Sequence, residues 1–201
     1  MSITFFIIIL TASVSIYAFN NRELFDKFKL NPYMVVNRKE YIRVFTHALL
    51  HADWGHLIFN MLTLYFFGGM VEKYFIMIFP AGKLLYVLLY ILGILVSAIP
   101  TILKNKNNHW YNSVGASGAV SAVLFAGILF DPHMSIYIMF IPIPIPAFLF
   151  GIAYLVYSQY MSRQNKDNIN HDAHFYGAVF GFSFPILLKP VLISYFFTML
   201  F

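Results

Sequence analysis

Six long apolar stretches, separated by polar connections, dominate this sequence. A helix needs about 20 mainly apolar residues to cross the hydrocarbon core of a bilayer, and about 17 is near the lower limit. The stretches that reach or approach this length are 3–19, 55–71, 84–103, 114–130, 146–161 and 173–188. At 201 residues the chain is expected to form one domain over 1–201. We therefore predict an all-α membrane protein, a bundle of six transmembrane helices whose fourth helix is short and central.

Composition supports a lipid-facing surface. The chain is 60% hydrophobic and 10% charged, whereas soluble domains are about half apolar and about a quarter charged. It contains no cysteine, which excludes disulfides, thiolate metal sites and cysteine nucleophiles. Its net charge of +5 comes from scattered residues. Because no basic face is interleaved with aromatic residues, we expect the bilayer and not nucleic acid as its partner.

The N-terminal run and two of the connections each predict a local structure. The run 3–19 lacks a positive leader and a clear cleavage site, so we interpret it as a retained span and not a signal peptide. The first connection, 20–54, carries ten charged residues and is too long to be structureless, so it should be partly structured. In 141–146, proline at every second position forbids a helix and predicts extended backbone.

Four polar residues lie near the starts of alternate spans. His56 and Asn60 open the second span, Ser117 opens the fourth and His174 opens the sixth. Alternate spans cross a membrane in the same direction, so these residues should share one depth. Polar side chains inside a membrane are costly and face the interior of the bundle. The pattern predicts one polar site below one membrane face.

The expected helix starts bring positive charge to the same site. Asp53, Asn112 or Ser113, and Asn170 or Asp172 each precede one of these spans and are candidate N-caps. Three helix N-termini would then direct their positive dipole ends toward one region. Such a region can stabilise a developing oxyanion.

These residue types fit nucleophilic catalysis. A serine hydroxyl such as that of Ser117 needs a base, and the neutral imidazole of His174 suits this role near pH 7. His56 and Asn60 are four residues apart, so they share a helix face, and both can donate hydrogen bonds to an oxyanion. Asp172 is two residues from His174 and faces another direction. The sequence therefore favours a Ser-His dyad.

Small residues in the sixth span offer a way for the spans that carry Ser117 and His174 to meet. Ala173, Gly177 and Gly181 form a small-xxx-small-xxx-small ridge in the sixth span. Such a ridge lets a neighbouring helix pack at short range. A helix packed there could bring a serine within hydrogen-bond reach of His174.

Three motifs in this order resemble the rhomboid proteases. Residues 47–62, with His56 and Asn60, resemble the H-x-x-x-N region of that family. Residues 115–118, Gly-Ala-Ser-Gly, resemble its G-x-S-G motif. Residues 173–181 resemble its final-span histidine segment. The resemblance extends from about residue 43 to 184, and on these motifs the chain is identified as a member of the bacterial six-span type.

The resemblance implies a function and a set of roles. It implies an intramembrane serine endopeptidase without metal or organic cofactor, in the bacterial inner membrane. Ser117 would be the nucleophile and His174 the general base and acid. His56, Asn60 and the backbone N–H of Ser117 would form the oxyanion hole. The cleft would open to water on the outer side, and the substrates would be single-span proteins whose helix frays near the cut.

The chain departs from the family pattern at three points. Ile42-Arg43 stands where the family often has Trp-Arg. Ser121 stands four residues after Ser117, where an aromatic ring often stacks on the histidine, so the stacking must be replaced or absent. The Lys and Arg count places the first connection in the cytoplasm, whereas the family places it outside. We follow the family orientation, because a folded element can override the charge rule.

Two alternatives remain open. One is an inactive relative that binds membrane helices without cutting them. The other is a metal-handling membrane protein, with ligands among His47, His51 and His56, or His171 with His174, although the chain has no H-E-x-x-H motif. We interpret His47 and His51 as structural, and His109, His133 and His171 as loop residues. Ala119 separates the serine motif from the G-x-S-x-G elbow of soluble hydrolases.

Overall fold

A computed structural model of the protein describes residues 2–137, 143–164 and 167–201. Eleven α-helices, a 3-10 turn, a π-helical segment and one two-stranded antiparallel sheet account for most of these residues. In chain order they are α1 (Ile3–Phe19), α2 (Arg22–Phe28), α3 (Pro32–Asn37), α4 (Arg43–Thr46), a 3-10 turn (His47–Leu49), α5 (Trp54–Thr63), a π-helical segment (Leu64–Gly68), α6 (Gly69–Ile78), α7 (Gly82–Asn105), α8 (Ser117–Phe130), β1 (Ser135–Ile136), β2 (Ile145–Pro146), α9 (Ala147–Gln164), α10 (His171–Leu188) and α11 (Val191–Leu200).

The helix starts agree with the sequence at two of three sites. The Asp53 carboxylate caps α5 by accepting from the His56 N–H at 2.8 Å. The Asn170 side chain caps α10 by accepting from the Ala173 N–H at 3.1 Å. Helix α8 has no side-chain cap and begins at Ser117. The predicted cap at Asn112 or Ser113 is wrong, because the chain stays non-helical through position 116.

Helix α1 has the inside-out pattern of a helix surrounded by lipid. Its buried residues are small or polar, namely Thr4, Thr11, Ser15 and Ala18. Large apolar side chains occupy its exposed side, among them Phe5, Phe6, Ile9, Leu10 and Ile16. A helix facing water would reverse this arrangement, whereas small residues at helix contacts and apolar residues outside are typical of membrane bundles.

Two helical segments are long and apolar enough to cross a membrane. They are Trp54–Ile78, which includes the π-helical segment, and α7. Helices α10 and α11 form a third candidate if the pair, bent by 117°, is one span. Helices α1 and α8 are apolar but shorter. The helical, membrane-type fold is thereby supported, and the count of six spans stays a prediction.

The predicted short and central fourth helix is confirmed. Helix α8 has 14 residues, and every residue from Gly118 to Phe130 is buried. It packs most extensively against α10 and α7. At about 1.5 Å per residue it is about 21 Å long, shorter than the roughly 30 Å hydrocarbon core. Its first residue, Ser117, can therefore lie below a membrane surface while its end remains inside the bundle.

Glycines bring α10 unusually close to α8. A methyl group built on Gly177 would lie 2.1 Å from the carbonyl oxygen of Gly118. One built on Gly181 would lie 2.0 Å from the carbonyl oxygen of Ala122. Neither position has room for a side chain. The predicted small-residue ridge is thus a real contact, and its partner is the helix that begins at Ser117.

The first connection is structured, as predicted. It contains α2, α3, α4 and the 3-10 turn. The Arg43 guanidinium donates to the carbonyl oxygens of Asp26 and Lys29 at 2.7 and 3.0 Å, and to the Glu40 carboxylate at 2.6 Å. Arg43 therefore holds α2 against α4 without an aromatic neighbour at Ile42.

Backbone pairing joins the connections to the segments that precede the helices. Leu30 and Ser113 exchange two hydrogen bonds, at 3.0 and 2.9 Å, which tie the first connection to the approach of α8. In the proline-rich stretch, residues 143–146 contain no helix, and strand β2 pairs with β1. The extended prediction agrees there, while residues 141 and 142 lie outside the described residues.

A buried carboxylate ties α1 to α6. Glu72, 5% exposed, accepts from the Ile3 N–H and the Thr4 N–H at 2.9 Å each, and from the Thr4 hydroxyl at 2.8 Å. The Thr4 hydroxyl also meets the Tyr86 hydroxyl at 2.8 Å. The carboxylate thus satisfies helix N–H groups that have no partner within α1, and its charge suits the helix N-terminus.

Replacing this carboxylate should destabilise the bundle. Glu72→Ala leaves buried N–H groups of α1 without an acceptor, so we expect the free energy of unfolding to fall by about 3 kcal/mol. Unfolding in detergent measures this loss. The neighbouring exposed Lys73 supplies the control, because Lys73→Ala should change stability little. Equal stability of the two variants would contradict the role given to Glu72.

Candidate active site

The starts of α5, α8 and α10 open into one large cavity. Its volume is about 1220 Å³, whereas one water molecule occupies about 30 Å³ of liquid. His56, Asn60, Ser117 and His174 all line it. The structure therefore brings together the four residues that the sequence singled out from three separate spans.

Ser117 occupies the first position of α8. Because Ala116 provides no side-chain cap, the first N–H groups of the helix, from Ser117 to Ala119, have no partner within it. All three residues line the cavity. The positive end of the α8 dipole is therefore directed at the site beside the Ser117 hydroxyl.

His56 lies against the loop that leads to Ser117. Its Nδ1 faces the Ala52 N–H at a long 3.5 Å, and a nitrogen that accepts there leaves the proton on Nε2. A methyl group on Gly115 would lie 2.7 Å from that Nε2. Gly115 has φ +120°, a conformation that favours glycine. His56 thus directs an Nε2–H donor toward the serine loop.

Asn60 lies one turn below His56 on the same face of α5. It is 6% exposed, and its amide Nδ2 donates to the His56 carbonyl at 3.1 Å. An amide carries two N–H hydrogens, so one remains for a further acceptor. The bond fixes the amide on the cavity side of the helix.

His174 lies in the first turn of α10, beside the contact with α8. Ala173 is next to it, and a methyl group on Gly118 would lie 3.3 Å from the Ala173 carbonyl oxygen. Among the described residues, no hydrogen bond of 3.5 Å or less joins the Ser117 hydroxyl to the His174 ring. Catalytic hydrogen bonds are often long without substrate and tighten when it binds.

Two rings flank the His174 imidazole. The Tyr154 ring, from α9, stacks on it with centroids 6.2 Å apart and an interplanar angle of 18°. The His171 ring meets the His174 ring edge to face, with centroids 5.8 Å apart. Stacking is therefore present but comes from α9, whereas Ser121 instead bonds the Tyr154 hydroxyl at 2.6 Å. Sequence reasoning missed Tyr154, which lies 20 residues from His174 and in another helix.

The nearby carboxylates have other partners. Asp172 accepts from the Ser162 hydroxyl and lies 3.4 Å from the Lys104 ammonium. Asp167 lies 3.1 Å from His171 Nε2, and this hydrogen bond lowers the pKa of the Asp167 carboxyl. His171 begins α10 and is buried, so its interpretation as a loop residue is wrong. His109 and His133 do lie outside the helices, as predicted.

His47 and His51 belong to the framework, as predicted. Both are buried. His47 Nδ1 meets the Arg43 carbonyl at 3.1 Å, and His51 Nδ1 meets the Ser15 hydroxyl at 2.9 Å. Burial lowers the pKa of His47 to about 4 and that of His51 to about 3. Both rings are therefore neutral near pH 7. His47 braces the first connection internally, and His51 holds that connection beside α1.

Metal ligation finds little support in the geometry. Within residues 2–137, 143–164 and 167–201, no three His, Asp or Glu side chains come together as a ligand set. His51 and His56 meet edge to face with centroids 4.8 Å apart. His171 and His174 likewise meet edge to face, with centroids 5.8 Å apart.

The chain belongs to the rhomboid family. The family model of the Rhomboid domain matches residues 38–191, which is most of the chain. A similar protein is "RHOMBOID-like protein 12, mitochondrial" from Arabidopsis thaliana, which is 29% identical over 148 residues. The alignment covers 66% of this chain and 42% of that protein, so the chain spans less than half the length of this relative. Rhomboid proteins are in general intramembrane serine proteases, and the match together with the apolar helices identifies an integral membrane protein.

The close contact between α8 and α10 should tolerate no added atom. Gly177→Ala places a methyl group against the Gly118 carbonyl, so we expect the free energy of unfolding to fall by about 1–3 kcal/mol. Gly69, in α6, has nothing within 4 Å of a built methyl group. Gly69→Ala should therefore be neutral or stabilise by up to about 1 kcal/mol. Unfolding in detergent compares the two, and a Gly177→Ala protein as stable as wild type would contradict the packing.

Proposed function

We propose that this protein is an intramembrane serine endopeptidase that cleaves single-span membrane proteins within or next to the bilayer. The observation that carries this proposal is the meeting of Ser117, at the uncapped start of α8, with His174, His56 and Asn60 in one cavity. Family membership supports the reaction class. In this proposal the whole chain, 1–201, acts as one membrane domain of six spans and needs no metal or organic cofactor.

Ser117 and His174 form the proposed dyad. As the Ser117 oxygen bonds to the carbonyl carbon of the scissile peptide, His174 removes the hydroxyl proton. His174 then donates that proton to the leaving nitrogen, the C–N bond breaks, and an acyl-enzyme ester remains. A water molecule attacks the ester while His174 accepts its proton. That proton returns to the Ser117 oxygen as the acid product leaves.

In this proposal three donors stabilise the oxyanion. They are the His56 Nε2–H, the second N–H of the Asn60 amide, and the backbone N–H of Ser117. The α8 dipole adds positive potential at the same place. Fixed donors of this kind stabilise the charge that develops on the carbonyl oxygen in the transition state.

The depth of the site explains why the substrate is expected to be a membrane helix. Helix α8 is shorter than the hydrocarbon core, which allows its first residue to lie below the membrane surface, and the cavity supplies room for water. A substrate helix protects its backbone by internal hydrogen bonds. Cleavage therefore requires local unwinding, which favours substrates whose helix frays near the scissile bond.

Orientation and compartment are part of the proposal. We keep the cavity on the outer side, as the family resemblance implies. The Lys and Arg residues of the first connection would by the positive-inside rule place that connection in the cytoplasm. The folded helices α2 to α4 and the bonds of Arg43 support a segment whose position is set by structure and not by charge alone. The bacterial inner membrane stays a prediction, since the matched relative carries a mitochondrial name.

A fluorophosphonate probe tests the nucleophile directly. In liposomes, wild type should label covalently and cleave a generic single-span substrate. Ser117→Ala and His174→Ala should do neither, because each lacks one half of the dyad. Asn60→Ala should retain cleavage at about 10²- to 10³-fold lower kcat, the usual effect of losing one oxyanion donor.

Folding controls separate lost chemistry from lost structure. Each variant should elute and unfold as wild type does in detergent. Substantial cleavage by purified Ser117→Ala or His174→Ala would refute the dyad. Absence of labelling and cleavage by folded wild type in every lipid tested would instead favour an inactive rhomboid-like protein that binds membrane helices.

A further inference from the structure

We propose that Tyr154, held in place by Ser121, is the residue that positions the imidazole of His174. This inference rests on the proposed function, because it assigns the orientation of the base in that reaction. Tyr154 acts through His174 and is a positioning residue, not a catalytic one. Its evidence is a chain of contacts that runs from α8 to α9 and on to α10.

The ring contact has the geometry of an attractive aromatic pair. Tyr154 and His174 have centroids 6.2 Å apart and planes inclined by 18°, within the 4.5–7 Å range of offset-stacked rings. Two nearly parallel faces restrict rotation of the imidazole about its side-chain bonds. Tyr154 therefore limits the directions in which the His174 nitrogens can point.

The Tyr154 ring is itself held on several sides. Its hydroxyl meets the Ser121 hydroxyl at 2.6 Å. Its ring centroid lies 5.5 Å from that of Phe125 and 5.8 Å from that of Phe150. Ser121 and Phe125 belong to α8 and Phe150 belongs to α9. The ring is therefore fixed mainly by the same helix that carries the nucleophile.

The spacing on α8 connects the nucleophile to the base. Ser121 lies four residues after Ser117, so both lie on one face of α8. Ser121 fixes Tyr154, and Tyr154 stacks on His174. A single helical turn of α8 thus sets the position of Ser117 and, through two contacts, the orientation of the base that must meet it. Because residue 121 is small, there is room for a ring that enters from α9.

A dyad needs such a device more than a triad does. In a Ser-His-Asp triad the carboxylate holds the imidazole in its productive orientation. Here Asp172 bonds Ser162 and Asp167 bonds His171. Within the described part of the chain, no hydrogen bond joins a carboxylate to His174. Stacking by Tyr154 supplies the constraint that a third member would otherwise provide.

The test uses variants that separate the ring from its hydroxyl. Tyr154→Phe keeps the ring, Tyr154→Leu removes it, and Ser121→Ala removes the anchor. The double variant Ser121→Tyr with Tyr154→Leu moves an aromatic ring from α9 to α8. Tyr160→Leu is the matched control, since Tyr160 is on the same helix and is 58% exposed.

The measurements are the rate of fluorophosphonate labelling, and kcat and KM for a single-span substrate in liposomes. For Tyr154→Leu we expect labelling and kcat to fall about tenfold with KM unchanged, which corresponds to the loss of one aromatic pair. Tyr154→Phe and Ser121→Ala should stay within about threefold of wild type. The double variant should recover most of the loss, and Tyr160→Leu should match wild type.

Several results would overturn this role. The first is a labelling rate of Tyr154→Leu equal to that of wild type. The second is a raised KM with unchanged kcat in Tyr154→Leu. The third is an equal loss of kcat in Tyr154→Phe and Tyr154→Leu. The role would also be overturned if the double variant were as thermally stable as Tyr154→Leu but labelled no faster than Tyr154→Leu. Failure of the proposed function looks different, because wild type itself would then not label. A merely structural tyrosine would change the unfolding temperature without separating kcat from KM.

Discussion

The contact between α8 and α10 governs the geometry on which the candidate site depends. Gly177 lies so close to the Gly118 carbonyl that no side chain fits between the helices. Ser117 directly precedes Gly118, and His174 lies about one helical turn before Gly177, so the helix contact brings the hydroxyl and the imidazole to the same cavity. Small residues provide this closeness where lipid offers no hydrophobic drive for association. The proposed catalysis by residues of two separate helices therefore depends first on packing.

Much of this arrangement could be predicted because it follows from chain topology. Alternate spans share a direction, which brings His56, Ser117 and His174 to one level without knowledge of any contact. The ridge containing Gly177 was also readable, since small residues four apart define one helix face. The bounds of α1 follow from apolar length. The six-span count remains a prediction, since helix length and composition support only part of it.

Other features depend on contacts between distant segments and leave no local pattern. The start of α8 could not be predicted, because pairing of Leu30 with Ser113 keeps the chain extended where Asn112 and Ser113 offered a cap. The Tyr154 contact was missed for the same reason, since it joins α9 to both neighbours. Ser121 gave only the signal that a ring was lacking in α8. Which helix supplies a ring is a question of tertiary packing.

The most direct measurement is a structure of the protein after reaction with a fluorophosphonate. We predict phosphorus bonded to the Ser117 oxygen, with the phosphoryl oxygen within hydrogen-bond distance of His56, Asn60 and the Ser117 N–H. The His174 ring should lie within reach of the Ser117 oxygen and remain stacked on Tyr154. An adduct on another residue, or a phosphoryl oxygen directed away from these three donors, would contradict the proposed active site.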